Sequence, residues 1–371
     1  MEDLKNKTLA LFFTIGVSLK TWERVGNLER EIKPYNELAN YFKKIYFIIY
    51  GRKEDLEFKK NLAGNIEILY KKSFLPSKIY QFLILLVYRK ELREADIYKT
   101  NQMASIVPAL FSKWLYKKKL VVRCGYEWLK LSERQNKPLW KVKLIELVEK
   151  IAYKAADKII LTSNQDKKFI EDNFKTPSSK IEVTPNYIDV DLFKPLNIPK
   201  EKNRIIFIGR LEEEKNLFDL IEAIANLPAK LILIGSGSLK EKLEGFVLKK
   251  KANIEFKGNI PNQKLPEELN KSEVFILPSF YEGCPKTLLE AMGCGLPCIG
   301  TNVEGIKEII QHKKNGFLCE TDANSIRKAI LEVLNNESLQ EKLGQNARKT
   351  ILENFSYEKI LEKEKNIYEN L

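Results

Sequence analysis

Short apolar runs alternate with amphipathic stretches along the whole chain. Leu9–Gly16, Ile45–Tyr50, Ile66–Leu69, Ile97–Thr100, Leu120–Arg123, Lys158–Thr162 and Ile181–Pro185 have the length and composition of strands. Between them lie stretches of helical spacing such as Leu28–Phe42, Ile79–Leu92 and Leu139–Ala156. A second series begins at Arg204. Its expected strands are Ile205–Gly209, Leu231–Gly235, Ile254–Gly258, Val274–Leu277, Pro297–Gly300 and Gly316–Cys319. Its expected helices are Leu217–Leu227, Leu239–Lys249, Leu265–Lys271, Thr287–Gly293, Ile306–His312 and Ala323–Leu334. Strands alternating with helices predict parallel sheets covered by helices on both faces.

Asp189–Asn203 holds Pro195 and Pro199 and has no helical period, which marks a join. The expected division is a first domain over 1–190, a linker over 191–203, a second domain over 204–355 and a terminal helix over 356–371 that packs back toward the first domain. The fold class is α/β, with two doubly wound, Rossmann-like domains. Ligands in such sheets bind at the carboxyl ends of the strands, so the cleft between two sheets is the natural site.

Composition narrows the function. The chain has 371 residues, 44% apolar and 30% charged, as in a soluble globular protein of two domains. Its five cysteines show no metal-ligand spacing, and an odd count with no disulfide framework points to a reducing, cytoplasmic setting. Leu9–Val17 follows Lys5 and Lys7 but lacks a small-residue cleavage site, so it reads as a buried first strand rather than a leader. Phe82–Tyr88 is too short to span a bilayer.

The net charge of +13 is uneven. Residues 1–200 hold 38 Lys and Arg against 24 Asp and Glu, while 201–371 hold 25 against 26. No acid lies between Asp96 and Glu127, a stretch containing Lys99, Lys113, Lys117, Lys118, Lys119 and Arg123. The first half therefore suits an anionic partner, although a solvated lysine-rich surface accounts for the same charge. Lys113–Lys119 mixes aromatics with cations as an interfacial segment does.

The chemistry concentrates in the second half. Gly209-Arg210 follows a strand, and Lys215 then stands just before a helix. Two cations beside a helix N-terminus make a diphosphate site, or else are ordinary surface charges. Gly235-Ser236-Gly237 opens like a dinucleotide fingerprint but continues to Lys240 where a third glycine belongs. Phe256 and Gly258 end the next strand, where an aromatic could hold a base edge or fill core. Glu282 and Glu290 lie eight positions apart around Gly283-Cys284-Pro285. Pro285 fits a first helical turn, leaving the N–H groups of Lys286, Thr287 and Leu288 for a phosphate. Carboxylates on either side suit hydroxyls, and phosphate with hydroxyls describes a sugar nucleotide.

Taken together, these pieces resemble the retaining glycosyltransferases of family 4, which have the GT-B fold. Thr301–Gly305 and Asn315-Gly316-Phe317 extend the match to about 120 residues of the second half. The resemblance implies that Arg210 and Lys215 bind the donor diphosphate, Glu290 the ribose and Glu282 the donor sugar. Gly209, Gly235, Gly237, Phe256, Gly258, Gly283, Pro285, Lys286, Thr287 and Leu288 would complete the donor site, without metal or cofactor. The partners implied are a nucleotide sugar and a glycan or lipid-linked acceptor at an anionic membrane face. The protein would act as a monomer or weak dimer, with no nucleic acid involved.

The first half matches less closely. Many relatives carry a glycine pair after the first strand, where this chain has Ser18-Leu19-Lys20. The sole histidine, His312, lies in the second half and reads as a helix-end surface residue. Ser18, Lys20, Asn101, Gln102, Arg123 and Tyr126 are the acceptor-side candidates. Three rival readings stay open: a nucleic-acid binder using the basic half, which lacks any recognised module; an NAD enzyme, which lacks the third glycine; and a phosphorylase or nucleotide-sugar hydrolase of the same fold.

Overall fold

A computed structural model describes residues 4–125, 128–135 and 137–371. The chain divides into two compact units, one of residues 1–184 with 361–371 and the other of 185–360. The boundary thus falls at Thr184/Pro185 rather than at 190. The expected linker belongs to the second unit, where Phe193 is buried in its core. The terminal helix Tyr357–Glu369 begins in the second unit and ends in the first.

The first unit is built on seven parallel strands. They are β1 (Thr8–Phe12), β2 (Lys44–Ile48), β3 (Ile66–Leu69), β4 (Ile97–Thr100), β5 (Lys119–Cys124), β6 (Lys158–Leu161) and β7 (Ile181–Val183), in the order β3-β2-β1-β4-β5-β6-β7. The second unit has six: β8 (Arg204–Ile208), β9 (Lys230–Ile234), β10 (Ile254–Gly258), β11 (Val274–Leu277), β12 (Cys298–Thr301) and β13 (Phe317–Cys319), in the order β10-β9-β8-β11-β12-β13. Every pairing is parallel. Burial on both faces explains the unbroken apolar strands: β1, β8 and β11 have no exposed residue.

Two helical expectations are corrected, and one helix lies outside them. Ile79–Leu92 breaks at Tyr88 into Ser77–Val87 and Arg89–Glu94. The Tyr88 hydroxyl donates to the Tyr70 carbonyl, and its backbone leaves helical dihedrals. Ile306–His312 forms consecutive turns instead of a helix, with the Asn315 side chain bonding the Gln311 N–H and the Ile309 carbonyl. Helix Glu337–Asn354 had no sequence expectation, because small residues at Gly344 and Ala347 supply much of its buried face.

One buried ion pair fixes the end of the chain. Lys99 on β4 is 1% exposed and bonds Glu364 of the terminal helix. The Tyr368 hydroxyl donates to the same carboxylate at 2.7 Å, and its ring packs edge-on against Phe42 at 5.4 Å. Burial alone would raise the Glu364 carboxyl, but the charges of Lys99 and Arg123 outweigh it and hold it below the usual range. A carboxyl depressed in the folded state adds stability above its unfolded pKa of about 4.3 and loses it as pH falls below that value. Glu364→Gln leaves Lys99 without its counter-ion and should cost about 3–5 kcal/mol. Urea titration at neutral pH should show that loss, and the variant's stability should fall less steeply than the wild type's between about pH 5 and 3.

Candidate functional site

In each sheet the strand order reverses beside the first strand, between β1 and β4 in one unit and between β8 and β11 in the other. Loops leaving the carboxyl ends of such neighbours turn to opposite faces and open a crevice. In the second unit the loop after β8 carries Gly209–Asn216, and the loop after β11 carries Pro278–Pro285. The residues expected at the donor site are therefore brought to one edge of one sheet by topology alone.

The two loops are joined by charge. Lys215 Nζ lies 2.5 Å from Glu282 Oε1, with the side chains 11% and 2% exposed. Ser279, fully buried, donates its hydroxyl to the same oxygen at 2.7 Å. The Thr301 hydroxyl, at the end of β12, donates to the Ser279 carbonyl at 2.5 Å. The loops after β8 and β11 thereby meet on one carboxylate, and the end of β12 is tied to it through Ser279. Ser279 and Thr301 were outside the expected site set, since an isolated serine before the glutamate carries no pattern.

Arg210 stands apart from this pair. It is the more accessible cation, 69% exposed on its side chain, and pairs with Glu214 at 2.5 Å. Asn216 takes a left-handed conformation at the start of helix Leu217–Ile224, and its side chain donates to the Thr321 carbonyl at 2.7 Å.

The glycines allow two loops to touch. A Cβ on Gly235, whose φ is +138°, would lie 1.9 Å from the Gly209 carbonyl oxygen. One on Gly237 would lie 2.3 Å from that of Leu211. Gly235 N–H donates to the Gly258 carbonyl at 2.8 Å, tying in the end of β10. Glu212 clamps the same loop from the other side, accepting from Ser238 N–H at 2.8 Å and from its hydroxyl at 2.6 Å. Those hydrogen bonds hold the Glu212 carboxyl below its usual range. Phe256 is half-buried against the core.

Helix Lys286–Gly293 follows. Pro285 is its N-cap residue rather than part of the first turn. The N–H groups of Thr287 and Leu288 still lie in that turn, where no helical acceptor exists. Glu290 is buried and accepts from Asn262 Nδ2 at 3.1 Å. The Asn186 side chain donates to the Cys284 carbonyl at 2.6 Å, and Lys286 Nζ sits 5.5 Å from the Tyr187 ring centroid. Behind Gly283, a Cβ on Gly305 would lie 2.2 Å from its carbonyl oxygen, which seats the loop after β12 against it.

The first-unit candidates serve several ends. Ser18 caps helix Leu19–Arg24 through Thr21 N–H, and Lys20 N–H donates to the buried Asp55. Asn101 is buried after β4, and Gln102 accepts from Gly125 N–H at 2.9 Å. Arg123 lies on β5 with its neighbours Val122 and Cys124 in the core of the opposite face, and its charge acts on Glu364 with that of Lys99. Tyr126 lies outside the described residues. His312 is exposed in an isolated β-bridge with Gly316, not at a helix end, and its Nδ1 accepts from Leu318 N–H at 3.0 Å.

Two family models account for most of the chain. Residues 190–350 match "Glycosyl transferases group 1", and residues 43–192 match "Glycosyltransferase Family 4". The chain belongs to glycosyltransferase family 4. This family 4 chain is 34% identical over 210 residues to the N-acetyl-alpha-D-glucosaminyl L-malate synthase of Bacillus anthracis, covering 52% of this chain and 54% of that one. It is 30% identical over 253 residues to the UDP-Gal:alpha-D-GlcNAc-diphosphoundecaprenol alpha-1,3-galactosyltransferase of Escherichia coli, covering 61% and 64%. The matches thus span between half and two-thirds of those relatives. The crystal structure of Anabaena HepE in complex with UDP and glucose superposes with a TM-score of 0.78 at 18% identity, covering 99% of this chain and all of that one. Its fold is therefore shared by the family 4 chain, and Lys215, Ser279, Glu282 and Glu290 all lie within the group 1 match.

The loop contacts make opposite predictions for two glycines. Gly235→Ala should destabilise the second unit by at least about 2 kcal/mol, from the strained φ and the clash with Gly209. Gly245→Ala should stabilise it by about 0.5–1 kcal/mol, because Gly245 is exposed within helix Lys240–Lys250 with open space at its Cβ. Thermal melts of the two variants against wild type check both signs.

Proposed function

We propose that this chain transfers a sugar, with retention at the anomeric carbon, from a nucleotide-diphosphate sugar to an acceptor hydroxyl in polysaccharide, lipopolysaccharide or glycolipid synthesis. The observation that carries the reading is the buried Lys215–Glu282 pair, set at the switch point beside the first turn of helix Lys286–Gly293. It puts a cation, a carboxylate and backbone N–H groups on adjoining loops, as a sugar diphosphate requires. In this reading Lys215 and Arg210 hold the diphosphate, Glu282 a sugar hydroxyl and Glu290 the ribose. HepE, crystallised with UDP and glucose, supports a uridine donor.

Bond breaking at the anomeric carbon puts negative charge on the departing phosphate. Lys215, Arg210 and the helix N-terminus stabilise that charge, which is electrostatic catalysis without a metal or cofactor. The acceptor oxygen attaches on the same face, and the departing phosphate oxygen takes its proton. No separate base is needed. The Escherichia coli relative's acceptor is a diphosphoundecaprenol glycan. A lipid-linked acceptor at the cytoplasmic face of an anionic membrane fits the basic first half, and no described helix is long and apolar enough to cross a membrane.

Transfer from radiolabelled UDP-sugars to a polyprenyl-diphosphate sugar, with the product anomer assigned by NMR, tests the reading. An inverted product would overturn retention. Lys215→Ala should lower turnover at least about a hundredfold, the cost of losing one charge-stabilising donor of about 2–4 kcal/mol. Lys215→Arg should recover part of it, and unchanged circular dichroism would separate the loss from misfolding. Turnover near wild type in Lys215→Ala would defeat the assignment.

A further inference from the structure

Three neighbouring helices of the first unit are apolar on two sides. A surface helix of a globular protein normally buries one apolar stripe and offers a polar face to water. Helix Ser77–Val87 buries Tyr80 and Ile84 yet exposes Ile79, Phe82 and Leu86, the last 74% accessible. Helix Ile106–Tyr116 buries Ile106, Ala109 and Leu110 but exposes Phe111, Trp114 and Leu115. Helix Leu139–Ala155 buries Ile145, Ala152 and Tyr153 and presents Trp140, Leu144, Leu147 and Ile151 at helical spacing on its outer side. Leu139 and Trp140 are 79% and 65% exposed.

These helices cover the same face of the sheet, since their buried residues share one core. The first two touch through the Phe82 and Phe111 rings, edge-on at 6.2 Å, while Phe111 meets Trp114 at 5.8 Å within the second; the third helix packs beside the second. The exposed side chains therefore stand on adjoining helices of one face, more apolar surface than scattered leucines would make.

Its rim is mainly cationic. Lys78, Arg89 and Lys90 border the first helix, Lys117 and Lys119 follow the second, and Lys141, Lys143, Lys150 and Lys154 project from the third. Helices Ser77–Val87 and Ile106–Tyr116 contain no acid, and on the third Glu149 is buried, leaving Glu146 as its exposed carboxylate. Two exposed tryptophans within an apolar face, rimmed by lysines, suit the boundary between headgroups and acyl chains. Anionic lipid adds an electrostatic attraction at each nearby lysine.

We infer that the outer face of these three helices docks on an anionic bilayer, lying in the interface without crossing it. The inference deepens the anionic-membrane part of the proposed function and does not depend on the donor site. Its consequence is that the first unit rests on the membrane by a preformed face, with Trp114 and Trp140 as the inserted side chains.

The test uses the full chain with vesicles of phosphatidylcholine containing about one-third phosphatidylglycerol, against neutral vesicles. Co-sedimentation should occur with the anionic vesicles at low salt and weaken as salt rises. Lipids brominated on the acyl chain should quench tryptophan fluorescence. Trp114→Ser with Trp140→Ser should lower vesicle affinity about tenfold or more and abolish the quenching, with circular dichroism unchanged. Donor hydrolysis in solution should be unaffected, so a failure of docking and a failure of the donor-site reading are told apart. No binding to anionic vesicles, or binding that survives the double variant, would overturn the inference. So would a dimer in sedimentation velocity that the double variant dissociates, because the face would then be covered by a second copy.

Discussion

The ion pair between Lys215 and Glu282 depends on a feature of the sheet more than on either side chain. β8 and β11 are neighbours in space but far apart in sequence, and the chain must leave their carboxyl ends in opposite directions. A cation on one exit and a carboxylate on the other can meet only at that point. Once they meet, each neutralises a charge that would be costly to bury alone. Ser279 and Thr301 then anchor the carboxylate to a third strand end, so the site is held by the sheet itself. On the proposed reading a bound diphosphate would share Lys215 with a carboxylate already in place.

The glycine contacts follow from the same crowding. Loops from β8, β9 and β10 must pass within van der Waals distance of one another to leave room above the sheet. Gly209 and Gly235 meet backbone to backbone where any side chain would intrude. Glu212 supplies the matching polar contact, since it closes over Ser238 on the outside of the same loop. The loop is thus defined by exclusion on one side and by hydrogen bonds on the other.

The thirteen strands among the described residues were legible, most of them because a strand buried on both faces is apolar at nearly every position, a signal that needs no tertiary information. The misses share one cause, which is that a specific contact outside the apolar periodicity decides the outcome. Ile306, Ile309 and Ile310 have helical spacing, but Asn315 captures the backbone groups a helix would use. Helix Glu337–Asn354 was hidden because Gly344 fits against Gly295 rather than offering an apolar side chain. In the site, Glu282 and Lys215 stood out through their glycine and helix context, whereas Ser279 and Asn262 are recognisable only once their carboxylate partners are in place. Arg123 could have been assigned from strand parity, since Val122 and Cys124 fix the opposite side for their neighbour.

The placement of Glu364 has a consequence for the order of events during synthesis. Domains commonly fold as they emerge from the ribosome, the amino-terminal one first. Here the first sheet can assemble early, but the counter-ion for its central lysine is encoded 265 positions later. Until the terminal helix arrives, the nascent first unit holds an uncompensated charge at Lys99 and an uncovered groove where Tyr368 will sit against Phe42. Its completion therefore waits on residues 361–371, which are made only after the whole second unit.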